Sequence, residues 1–78
     1  MNWREHIHSD PEVLGGKPVI RGSRISVELV LERLSDGWTE DELLRSYPNV
    51  AREQIRAAVA FALDMVSEEA PLARSRAA

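Results

Sequence analysis

The sequence predicts a small, mainly α protein of the α+β kind, an N-terminal β-hairpin followed by a three-helix, helix-turn-helix-like bundle. Three observations carry this. Gly22-Ser23 stands between two short β-compatible runs, residues 18–21 and 24–27, as in a tight hairpin. Three later segments hold apolar residues at helical spacing, each opening or closing on a recognisable cap. Two of them joined by a short turn read as a helix-turn-helix.

Residues 1–7 form a lead-in that ends in an edge strand near residues 6–9. Asp10-Pro11-Glu12 offers a cap, a proline at the first helical position and an acid in the first turn. Gly15-Gly16 follows too soon for more than one turn of helix. The hairpin, residues 18–27, is expected to turn in type II′ geometry with Gly22 first, since glycine takes that position without strain. In that register Arg21 and Arg24 lie directly opposite each other. Like charges so placed repel by a few tenths to roughly 1 kcal/mol, so a carboxylate or phosphate is expected between them.

Ser26 caps the first helix, residues 27–35, whose Val27, Val30, Leu31 and Leu34 recur at i, i+3, i+4 and i+7, one apolar stripe. Gly37 ends it as a C-terminal cap glycine. The second helix, residues 40–47, has the clearest start. Thr39 and Glu42 make a capping box, and Trp38 is placed to staple onto Leu43. Leu43, Leu44 and Tyr47 face the core, and Pro48 closes the helix by disfavouring helical backbone at Tyr47. The third helix, residues 52–68, has Val50 and Ile55 at the staple positions and Gln54 at the box position. Ala51 replaces the Ser or Thr expected at its cap, a loss of about 1 kcal/mol. Residues 71–78 are small, basic and unpatterned and are predicted to be disordered, leaving one domain over residues 1–70.

A chain of 78 residues buries only about 60% of its extended surface, so its stability is marginal without a disulfide, metal or partner. It has no cysteine, which excludes a thiolate zinc site and fits a reducing, cytoplasmic setting. No apolar run approaches the roughly 20 residues of a membrane span, and the N-terminus lacks a signal pattern. The net charge of −3 is uneven. Residues 1–34 carry five bases and five acids, residues 35–70 three and eight, and Arg74 and Arg76 add two positive charges. An acidic helical half is a poor electrostatic footprint for DNA.

The third helix speaks to partners. At about 100° per residue, Ile55, Ala58, Val59, Phe61, Ala62, Leu63, Met65 and Val66 fill an arc of about 200°, twice what a helix needs to pack on its own core. Either the N-terminal hairpin covers the surplus or a second chain does, with Phe61, Leu63, Met65 and Val66 as the partner or dimer interface. The opposite face carries Glu53, Arg56, Ala57, Ala60, Asp64 and Glu68. Three acids against one arginine are the wrong chemistry for a helix in the major groove.

Gly15-Gly16-Lys17 is not a phosphate-binding loop, because the spacing to an earlier glycine is wrong and Pro18 replaces the required Ser or Thr. The basic trio Lys17, Arg21 and Arg24 could grip phosphate from the hairpin, as β-ribbon readers do, or pair internally with Asp10, Glu12 or Glu28. His6 and His8 share a strand face but have no evident third ligand, so neither metal nor cofactor is expected. No Ser-His-Asp or Cys-His set is available, and an enzyme is not expected. Arg74 and Arg76 could dock into an acidic cleft.

Asp10-Pro11, Gly15-Gly16-Lys17-Pro18-Val19-Ile20-Arg21-Gly22, Arg24-Ile25, Gly37, Tyr47-Pro48 and the helix over residues 55–62 together resemble the small prokaryotic domain-of-unknown-function family four-three-three, over residues 7–64. The resemblance implies a helix-turn-helix-type protein that serves as the antitoxin of a type II toxin–antitoxin pair. Its partner would be a metal-dependent ribonuclease toxin of the PIN type from an adjacent gene, bound by a non-enzymatic homodimer. Arg74, Arg76 or the hairpin arginines would then oppose the toxin's carboxylate cluster. The alternative is a DNA-binding autorepressor holding phosphates through Lys17, Arg21 and Arg24. Two features depart from the family pattern: Ala51 at the third helix's cap, and that helix's acidic face.

Overall fold

The computed structural model describes residues 1–69. The expected tail, with Arg74 and Arg76, lies outside the described residues. An antiparallel two-stranded hairpin precedes three helices, the expected fold class. Strand β1 (Ile7–His8) pairs with β2 (Val19–Ile20) in the register Ile7 to Ile20 and His8 to Val19. The helices are α1 (Val27–Ser35), α2 (Glu40–Ser46) and α3 (Arg52–Glu69). Single 3-10 turns, Trp3–Glu5 and Leu14–Gly16, flank β1 and its connection to β2.

The edge strand falls where the sequence places it, but it is the partner of β2. Residues 24–27 add one bridge, Val19 to Ser26, because Ser26 is committed as the α1 cap, its hydroxyl accepting from the Leu29 N–H at 2.9 Å. The expected two-residue turn is a four-residue loop, closed by the Ile20 N–H donating to the Ile25 carbonyl at 2.9 Å. Gly22, at φ +83°, takes the third place of a turn in which the Ser23 N–H donates to the Ile20 carbonyl at 3.0 Å. That is the place where a type II turn requires positive φ. Ser23 also donates its hydroxyl to the Ile20 carbonyl and accepts from the Ile25 N–H. This side chain satisfies the backbone that a tighter ladder would have paired.

The helix ends follow their local chemistry. Thr39 and Glu42 form both arms of the capping box, at 3.1 and 2.8 Å. Gln54 supplies one arm at α3, accepting from the Ala51 N–H at 3.0 Å. After α1, the Trp38 N–H donates to the Arg33 carbonyl and the Gly37 N–H to the Leu34 carbonyl, with Gly37 at φ +98°. This closing motif needs a left-handed residue. Helix α2 stops at Ser46 with Tyr47 as its cap, one residue short of expectation, and α3 runs one residue longer.

The hairpin strands and the inner faces of the helices share one core, in which Ile20, Leu43, Ile55, Val19 and Val30 are the largest fully buried side chains. Trp38, Leu44, Tyr47 and Phe61 pack around it half-buried. Arg52 ties the starts of α2 and α3 together, donating to Glu40 at 2.8 Å and Asp41 at 2.7 Å, and Arg56 adds a bond to Glu40 at 3.0 Å.

Candidate protein-binding surface on the third helix

Helix α3 sits lower on its apolar side than its sequence indicates. Ala57, expected on the polar face, is fully buried beside Ala58 and Ile55. Small side chains there let neighbouring elements approach α3 closely, and alanine gives a periodicity analysis little weight on either face.

The rotation splits the four residues expected at the interface. Phe61 is half-buried under the N-terminal turn. Its ring meets Trp3 edge-on, centroids 4.8 Å apart and planes at 88°, a favoured aromatic geometry. The Trp3 indole N–H donates to Asp64 Oδ2 at 2.6 Å, and the Arg4 guanidinium lies 4.4 Å from the Trp3 ring centre. The N-terminal segment therefore covers part of the surplus arc, and Phe61 is chiefly an intramolecular contact. Met65, one turn beyond Phe61 on the same side, is 41% exposed.

Leu63 and Val66 remain open at 62% and 60%, and with Val59 at 43% they form a stripe at i, i+4 and i+7. At 100° per residue this stripe lies across the helix from Phe61. Val59 belongs to the expected arc but not to the four residues singled out for the interface. Its spacing to Leu63 and Val66 was the available signal.

A second apolar surface lies on the Phe61 side. Pro18, Val27, Leu31 and Phe61 line an open groove of about 490 Å³ between α1 and α3, with Lys17, Glu28 and Glu32 also on its walls.

The basic trio does not converge. Lys17 donates to Glu28 at 2.9 Å. The bond and charge of Glu28, with Glu32 nearby, raise its pKa. Arg21 and Arg24 belong to the four-residue loop rather than to facing ladder positions. Arg21 donates to the Arg4 carbonyl at 3.3 Å and approaches His8 Nδ1 at 3.5 Å. Exposed Arg24 makes no side-chain hydrogen bond among the described residues. Among the described residues Arg4, Arg21 and Arg24 have no carboxylate partner, as is also true of Arg33, stacked on Trp38, and Arg45 on the helices; Arg4 was missed because only the fold brings residues 4 and 21 together. On α3, Arg52 and Arg56 are matched to Glu40 and Asp41, which raises the pKa of both arginines through hydrogen bonding and lowers that of Glu40. Among the described residues no three His, Cys, Asp or Glu side chains are grouped to hold a metal ion. No described helix is long and apolar enough to cross a membrane.

Residues 7–62 match the family model described as "Protein of unknown function (DUF433)". The chain belongs to this family. It is 37% identical over 59 residues to "Uncharacterized protein y4eO" of Sinorhizobium fredii, an alignment covering 76% of this chain and 27% of that one. The chain thus spans about a quarter of that relative's length. The fold matches the crystal structure of a family member from Anabaena variabilis, with a TM-score of 0.69 and 29% identity over 85% of this chain and 61% of that one. The family match ends at Ala62, so Leu63 and Val66 lie beyond it while Val59 lies within it.

Proposed function

We propose that this protein is the antitoxin of a type II toxin–antitoxin pair, a non-enzymatic homodimer that binds and neutralises a PIN-like ribonuclease toxin encoded beside it. The observation that carries the reading is the stripe Val59, Leu63 and Val66, apolar and open to solvent on a helix whose Phe61 side is covered by the N-terminal turn. Apolar side chains in register on one face of a helix are what a partner's groove accepts. A stripe about 10 Å long is a binding hot spot rather than a whole interface, so the partner must contribute contacts around it. The family resemblance supplies the kind of partner. The test is co-expression with the neighbouring open reading frame. The proposal expects a stable complex and loss of the partner's ribonuclease activity within it; an adjacent product that neither binds nor cleaves RNA refutes it.

A second reading, autorepression by DNA binding, is favoured by one observation: Arg4, Arg21 and Arg24 stand at the hairpin end without a described carboxylate partner, away from the apolar stripe. Lys17 is a weaker candidate because Glu28 neutralises it. A mobility-shift titration with the promoter should show steep salt dependence and lose binding in the Arg21→Ala/Arg24→Ala protein. A flat titration at low salt excludes it.

A further inference from the structure

The groove between α1 and α3 and the stripe across α3 from it are both open and apolar, and their borders carry opposite charge. The floor of the groove is Pro18, Val27, Leu31 and Phe61, and its α1 wall holds Glu28 and Glu32, one turn apart. Lys17 pairs with Glu28 alone. Glu32 makes no ion pair among the described residues, yet its charge reaches the rim, where it adds to the bond and charge of Glu28 in raising the Lys17 pKa.

The stripe is bordered by arginine. Arg56 stands at i and i+7 with Leu63, about 20° from it around α3, and Arg52 lies one turn earlier on the same side. Arg56 gives Nε and Nη2 to Glu40 at 3.0 and 3.2 Å, while its Nη1 has no partner among the described residues. A guanidinium carries five N–H donors in a planar fork, so a second carboxylate can bind at the free edge. Asp64 is turned away, accepting from the Trp3 indole. The lengths agree as well. The groove follows α1 from Val27 to Ser35, about 12 Å, and the stripe from Val59 to Val66 spans about 10 Å. A helix is the suitable occupant, because α1 and α3 bond their backbone groups internally and leave none for an extended chain, whereas a docking helix satisfies its own.

We propose that the groove receives the α3 stripe of a second copy of this chain, with Val59 and Leu63 against Leu31 and Phe61 and the Arg56 guanidinium at Glu32. Groove and stripe face opposite ways on α3, so the contact is head-to-tail rather than two-fold. This goes beyond the antitoxin reading and does not rest on it. A pair joined this way keeps one stripe and one groove free, so a toxin and a further copy compete for the same side chains.

The test needs only the full chain. Leu63→Asp removes the centre of the stripe and leaves the groove intact. An isotope-enriched Leu63→Asp chain titrated with unlabelled parent chain should show saturable shifts of the Val27, Leu31 and Glu32 amides, half-complete below about 1 mM, with Val59 and Val66 unmoved. Adding Glu32→Lys to the enriched chain breaks no described ion pair and turns an exposed attraction into a repulsion. It should weaken binding about 3- to 10-fold, and raised salt should act in the same direction. Unlabelled Leu63→Asp used as the titrant should give no groove shifts. A two-fold contact between stripes is the competing arrangement; it leaves the groove of the enriched chain silent and overturns the proposal. So do groove shifts that persist with the Leu63→Asp titrant, which assign the groove to another segment, or shifts that ignore Glu32→Lys.

Discussion

Replacing Leu63 separates association from folding, and its size can be worked from the structure. Full burial of a leucine side chain is worth about 1.5–3 kcal/mol. Leu63 is 62% exposed, so a partner that covers it gains roughly 1–2 kcal/mol from this residue. Leu63→Ala should therefore weaken partner binding and self-association by about 5- to 30-fold. Leu63→Asp should weaken them by more than about 100-fold, since it also places a carboxylate in an apolar contact. Thermal stability of the isolated chain should change by less than about 0.5 kcal/mol in Leu63→Ala, because the side chain touches little of its own fold. Phe61→Ala is the opposing control. It removes the ring packed on Trp3 and should destabilise the chain by about 2–4 kcal/mol, less than a fully buried phenylalanine. Sedimentation equilibrium, calorimetric titration against the adjacent gene's product and thermal unfolding read the three quantities. Unchanged association in both Leu63 variants, or a Phe61→Ala chain that keeps its stability and loses its partner, would refute the placement of the interface.

Three further outcomes follow from local geometry. Ala51→Ser completes the capping box of which Gln54 already makes one arm, and denaturant unfolding should show a gain of about 1 kcal/mol. Leu14 sits at φ +51° and is 41% exposed, a left-handed conformation that costs a branched residue about 1–2 kcal/mol. Leu14→Asn should thus raise the unfolding midpoint, and a lower midpoint would mean that this leucine makes contacts its exposure conceals. Hydrogen bonds from Arg56 and Arg52 lower the folded pKa of Glu40 from its usual 4.5. Its contribution is therefore present above pH 4.5 and lost as pH falls through the lower folded value. The stability difference between the parent chain and Glu40→Gln should shrink over that acidic range and with added salt; a difference constant from pH 7 to pH 3 contradicts the ion-pair assignment.

What could be read from the sequence was chemistry acting over three to five residues. Ser26 with Leu29, Thr39 with Glu42 and the glycine after α1 each find their partner within a few residues, so spacing alone identifies them. The strand pairing was harder, because residues 7–8 and 19–20 are joined across a ten-residue connection and the competing run at residues 24–27 is nearer. That run has residues suited to strands, but Ser26 gains more as a helix cap than as a ladder member, and Ser23 replaces the missing ladder bonds with its hydroxyl. The loop that results leaves Arg21 turned toward Arg4 and His8 rather than set against Arg24. Neither contact has a short-range signature.

The interface residues show the same boundary on a single helix. An arc of about 200° gives the quantity of apolar surface on α3 but not its division, because a wheel treats every direction beyond the core as equal. The division is made by Trp3, sixty-one residues from Asp64, which closes over the side that holds Phe61 and leaves Val59, Leu63 and Val66 open. The N-terminal turn thus acts on function from a distance in sequence. By occupying one flank of α3 it fixes which apolar side chains can be offered to another chain, and it carries Arg4, stacked on Trp3, to Arg21 at the hairpin end. Protein binding through α3 and phosphate binding through Arg4, Arg21 and Arg24 would use separate surfaces, so one molecule has room for both.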